Sequence, residues 1–210
     1  MNFPNWLVWI DKNLKWLSIP KLPLTLTLIQ AIGFILVIGK PGFDEQLILD
    51  PSKVFQGEIW RLFTFIANPL TESFLVIFVL WFIYNILLWL EDAWGSTLLT
   101  VYFLFAWFST ILASVLTGIP IKTFVYMECS FFFAVATINP NKEIYLFFIL
   151  PIAFKWIAFF VAAVLFIVPL VLGSYEGLFY LTLFFANYLL FFGKHYWLLF
   201  KKELERRKKI

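Results

Sequence analysis

The sequence predicts an all-α integral membrane protein, a bundle of six transmembrane helices. Composition is the first reason. The 210-residue chain is 62% hydrophobic and 22% aromatic, with 14% charged residues and a mean hydropathy of +0.90. A soluble domain is nearer half apolar and a quarter charged. The second reason is run length: Ser73 to Leu90 holds 18 residues without a charge. As helix they extend ~27 Å, close to a hydrocarbon core of ~30 Å. The third is the distribution of Lys and Arg, which gather at the two ends of the chain as they do on cytosolic flanks of membrane proteins.

The elements follow in order. Residues 1–21 mix Trp6, Trp9 and Trp16 with Lys12 and Lys15, so they form either an interfacial amphipathic segment or a plain tail. No clean apolar core precedes Pro20, and no cleavable signal peptide is expected. The membrane domain is expected over 22–193. Leu22 to Gly39 is its first span. Residues 40–71 form a long connector that mixes charge with Leu47, Ile48, Leu49, Val54 and Phe55, so it should lie in the interface. Within it, Arg61 either snorkels to headgroups or binds backbone carbonyls, and Trp60 anchors at the same depth.

The second span is 73–90, the third Thr97 to Ile119 and the fourth, which is short, Thr123 to Ile138. Asn139-Pro140-Asn141-Lys142-Glu143 breaks the chain. Ile144 to Pro151 is too short to cross and reads as re-entrant or interfacial. The fifth span runs from Lys155 to Leu172 and the sixth from Leu178 to Phe192. A basic tail, 194–210, follows.

Six spans put both termini on one side. That side then holds twelve of the sixteen Lys and Arg residues, and the other holds Lys40, Lys53, Arg61 and Lys122. The positive-inside rule makes the termini cytosolic. A seventh crossing at 144–151 would put the basic tail outside. The net charge of +3 implies no nucleic acid partner. One histidine and one cysteine cannot close a metal site, so neither metal nor cofactor is expected. The lone Cys129 leaves the redox compartment unreadable. No Gly-rich phosphate loop is present, and the spans carry too few paired charges for a proton-driven transporter.

Several features together resemble the rhomboid superfamily. They are the six spans, Trp60-Arg61 in a long first loop, Leu90-Glu91-x-x-Trp94-Gly95-Ser96 closing the second span, and Pro151-x-x-x-Lys155-Trp156 opening the fifth. The spacing from Trp60 to Glu91 is similar to that of the derlins. Ala134-x-Ala136-Thr137 followed by Pro140 resembles uncharacterised bacterial rhomboid-like proteins. The resemblance implies a compact helical bundle in which Trp60, Arg61, Glu91 and Gly95 are structural, with Glu91 capping a network at the cytosolic ends of the second and third helices. It also implies a bacterial inner-membrane setting.

The family's proteases use a serine in Gly-x-Ser-Gly, a histidine base in the sixth helix and a His-x-x-x-Asn oxyanion pair in the second. Only Ser130, in Glu128-Cys129-Ser130-Phe131, matches the serine, without its glycines. Asn187 stands where the histidine should be, and asparagine cannot take the serine proton. The oxyanion pair falls near Leu75 and Val79, which donate nothing. The only histidine, His195, lies beyond the sixth span.

No catalytic residue is therefore expected, and Ser130, Asn187 and Glu128 are candidates for a vestigial site. Counted from the loops, Ser130 and Asn187 lie ~12 and ~16 Å deep. They either face a shared cavity used for binding or act as interhelical glue. Glu128 either sits in a polar cavity that receives a client helix or reaches the surface beside Lys122. Asn85, Tyr84 and Ser109 read as internal hydrogen bonders, and Cys129 as a small packed residue. The expected partners are membrane lipids and transmembrane client proteins, with oligomeric state open. The expected function is an inactive rhomboid-like protein that binds client helices or distorts the bilayer. The alternatives are an atypical serine protease with Glu128 as base to Ser130, and a fixed subunit of a membrane complex.

Overall fold

The runs bounded by Pro, Gly and charge fold as helices, because helices satisfy every backbone polar group within a single apolar segment. The computed structural model describes residues 4–146 and 150–207. About three quarters of these are helical. The helices are α1 (Asn5–Asn13), α2 (Leu22–Gly39), α3 (Asp44–Leu47), α4 (Pro51–Phe55), α5 (Arg61–Thr64), α6 (Val76–Thr117), α7 (Val125–Ile138), α8 (Phe154–Val171), α9 (Tyr175–Phe184) and α10 (Ala186–Arg207). Among the described residues, three segments are long and apolar enough to cross a bilayer: Lys15–Gly39, Val76–Thr117 and Phe154–Val171. A bent pair, Gly177–Leu183 with Ala186–Leu198, adds a fourth where the pair counts as one span. These are the helices of an integral membrane protein.

The second and third expected spans lie in α6, which is 42 residues long and broken at Gly95 (φ 81°, ψ 161°). Contacts with α7 fix the direction of each half. Phe82 meets Phe132, and further along the same half Trp89 lies under the ammonium of Lys142, beyond the end of α7. The first half therefore runs parallel to α7. The second half runs the other way, since Tyr102 meets Ser130 and the chain then reaches the start of α7 through residues 118–124. The two halves form an antiparallel hairpin folded at Gly95. Its backbone conformation is essentially open to glycine alone. Nothing lies within 4 Å of a Cβ added there, so Gly95→Ala is expected to cost about 1–3 kcal/mol by backbone strain alone. A thermal unfolding comparison in mild detergent checks this.

The structure adds detail at three places. The stretch Ile144 to Pro151, expected as re-entrant or interfacial, holds strands. Its described parts belong to an antiparallel hairpin of β1 (Glu143–Leu146) and β2 (Leu150–Ala153), with 147–149 outside the described residues. The paired strands satisfy each other's backbone groups, which a lone eight-residue stretch cannot do. The segment expected as a sixth span is not one straight helix: it bends by 70° between α9 and α10. There Phe185 is buried between Phe133 and Phe166. Finally, helix continues through residue 194, so the basic tail as far as Arg207 extends α10.

The first connector folds onto one end of the bundle. Leu49 forms a β-bridge with Ile121, and Asn68 Nδ2 donates to the carbonyl of Lys122 at 2.5 Å. Arg61 is buried. Its Nη1 donates to the carbonyls of Glu45 (2.7 Å) and Ile48 (2.8 Å), and its Nε donates to Glu58 Oε2 at 2.6 Å. Of the two options read from the sequence, Arg61 takes the backbone carbonyls, while Trp60 is exposed. Helix α2 closes on this connector through Gly33, where an added Cβ would collide with the carbonyl oxygen of Ala67. At the opposite end α1 is docked rather than trailing. Leu7 is buried, and Trp6 meets Phe105 and Phe191 edge-on.

Candidate functional site

Helix α7 is the element on which the candidate residues converge. Its 14 residues make ~21 Å of helix, short of a bilayer core. Ser130 is fully buried, and its Oγ accepts from Asn187 Nδ2 at 2.8 Å. The second partner, Tyr102, was not singled out in the sequence: its hydroxyl lies 2.7 Å from Ser130 Oγ and 3.1 Å from the Ser130 carbonyl.

The protons balance in one arrangement. Tyr102 O–H donates to the Ser130 carbonyl, Ser130 O–H donates to the Tyr102 oxygen, and Asn187 N–H donates to Ser130 Oγ. The serine proton is then committed to a phenol, which is no base at neutral pH. The Oδ1 of Asn187 has no hydrogen-bond partner among the described residues. Of the two readings, a shared cavity or interhelical glue, the direct hydrogen bond between buried Ser130 and Asn187 is the contact that glue requires. Rings fill the space: Tyr102 packs on Trp94, Phe131 and Phe191.

Glu128 turns elsewhere. Its Oε1 accepts from Gln30 Nε2 of α2 at 2.9 Å, a partner that neither reading, a client cavity or the surface beside Lys122, had named. Residues two apart on a helix do not share a face, so Glu128 is not placed to take a proton from Ser130. Leu75, at the start of α6, is exposed. Cys129 is half-buried and unbridged. Of the minor polar residues, Asn85 donates back to the Trp81 carbonyl within its own helix, and Ser109 does the same to Ala106.

Glu91 and Gly95 meet at the turn of α6. Glu91 Oε1 accepts from Ser96 Oγ at 2.6 Å across Gly95, so the acid ties the two halves of α6 at their turn. Lys142 Nζ sits 3.4 Å from the centre of the Trp89 ring. Desolvation there holds its ammonium below the usual lysine range, partly offset by Asp92.

A second group of polar atoms was also missed. Thr137 Oγ1, Tyr188 OH and Tyr196 OH form a triangle with sides of 2.7, 3.0 and 2.7 Å. It lies on a cleft of about 560 Å³ between α7, α8, α9 and α10, which His195 and Lys155 also line. His195 therefore belongs to this cleft and not to Ser130. Among the described residues no group of three His, Cys, Asp or Glu side chains could hold a metal ion.

The chain matches no protein-family model, no curated protein and no solved structure.

Proposed function

We propose that this chain is a catalytically inactive, rhomboid-like multi-pass membrane protein that binds transmembrane helices of client proteins. The observation that carries the proposal is the closed Ser130–Asn187–Tyr102 network. A nucleophilic serine needs a base within hydrogen-bond reach and an approach path for substrate. Here an amide and a phenol hold the hydroxyl, and packed rings occupy the approach. The halves of α6 have 19 and 22 residues on either side of Gly95. Counted as two spans, with α2, α7, α8 and the bent α9–α10 pair, they support six crossings. The positive-inside rule then puts both termini in the cytosol.

Helix α8 supports the binding role. Phe154 is its one buried residue, and Trp156, Phe160, Ile167 and Val171 are exposed. A helix so loosely held leaves a lateral face against which a client helix packs. The short α7 supports local bilayer thinning, at modest cost per ångström of mismatch.

The test is photocrosslinking in cells from position 160, with adducts identified by mass spectrometry. Uncleaved single-pass membrane proteins of several kinds are expected. One fixed partner in constant ratio would replace this reading with that of a complex subunit. In the same proposal Ser130→Ala is a packing change, costing about 1–3 kcal/mol as the two interhelical hydrogen bonds of its hydroxyl, to Asn187 and Tyr102, are lost. Thermal unfolding reads the cost, and membrane-protein processing should be unchanged.

A further inference from the structure

The cleft beside the bundle is graded along its length. Lys155, His195, Thr137 and Tyr196 lie at one end, and Phe133, Ala162, Phe166 and Phe185 line the other. Along α8, Lys155 and Phe166 are eleven residues apart, about 16 Å of helix. Positions 155, 158, 159, 162 and 166 repeat at three and four and so present one stripe to the cleft. None of the lining residues is acidic. Lys155 is held at the mouth, its Nζ 2.9 Å from Asn141 Oδ1. Tyr196 is the exposed member of the hydroxyl triangle, free to turn its O–H outward.

We infer that this cleft holds one phospholipid with an anionic headgroup. The charge pattern sets the polar end: an ammonium, an imidazole and a hydroxyl converge where no carboxylate competes, which suits a phosphate. The apolar end takes the acyl chains, and the volume lies within the range of small-molecule sites. The cleft is open on one side and its mouth lies at the bundle end that carries Lys142 and the basic α10, where anionic lipid concentrates under the proposed orientation. The inference goes beyond client binding: position 160, which reports on clients, is not among the cleft-lining residues.

The test uses the full chain in nanodiscs of equal phosphatidylglycerol and phosphatidylcholine, released into native mass spectrometry. One retained phosphatidylglycerol per chain is expected. Lys155→Glu reverses a charge at the mouth and should lower the preference for phosphatidylglycerol about tenfold. Ala162→Trp fills the apolar end and should abolish retention of either lipid. Unfolding midpoints near that of the parent chain show that both variants remain folded. If Lys155→Glu unfolds the chain, Tyr196→Phe replaces it and should weaken the same preference. Equal retention of the two lipids, retention indifferent to these changes in folded chains, or a polypeptide in place of lipid would overturn the inference.

Discussion

Replacing Arg61 by Leu is expected to destabilise the chain by about 2–4 kcal/mol, chiefly through the two carbonyls it leaves unpaired, since the Glu58 side chain is a third exposed and the ion pair itself adds little. The side chain is buried and makes three hydrogen bonds, to the Glu45 and Ile48 carbonyls and to Glu58. Leucine fills the volume but leaves two carbonyls unpaired, and each buried acceptor left unsatisfied costs about 1–3 kcal/mol. The damage should be local at first. The connector around 44–60 loses its central tie and becomes a site of limited proteolysis before the bundle unfolds. Ile59→Val, at an exposed neighbour, serves as the comparison and should change the unfolding midpoint little. An Arg61→Leu chain as stable and protease-resistant as Ile59→Val would show that the buried tie contributes nothing.

The second large effect is at Gly33. A methyl group there meets the Ala67 carbonyl oxygen far inside van der Waals contact, and backbone cannot swing aside as a long side chain can. Either α2 or the turn at 65–67 must shift, at a cost of about 3 kcal/mol, the upper part of the range for overpacked sites. Gly39 gives the contrast within the same helix, since an added Cβ meets nothing within 4 Å. Gly39→Ala should be neutral or slightly stabilising through the unfolded chain. Unfolding midpoints of the two alanine variants in one detergent check the pair, and equal midpoints would contradict the close approach.

The sequence made the helices legible because apolar run length is set by the bilayer and polar breaks mark its surfaces. The same depth counting paired Ser130 with Asn187, since residues at matching depth on neighbouring helices can meet. Azimuth was not legible. In a span that is apolar all round, no stripe shows which way a residue faces, and so the partnerships of Tyr102 with Ser130 and of Gln30 with Glu128 were missed. Thr137, Tyr188 and Tyr196 are likewise ordinary residues in sequence and become a cluster only through the bend at Phe185. The β1–β2 hairpin escaped because periodicity does not separate a short apolar strand from a piece of helix. Arg61 was legible as an anchor but not in its choice of partner, which depends on how 44–60 folds back.

Labelling with a fluorophosphonate probe, in membranes and in mild detergent, tests the central claim most directly. Such probes form a covalent adduct only with an activated serine. The account predicts no adduct at Ser130, by intact mass and by peptide mapping. An adduct on Ser130 that disappears in Ser130→Ala would contradict it and show that the hydroxyl held by Tyr102 and Asn187 is a nucleophile after all.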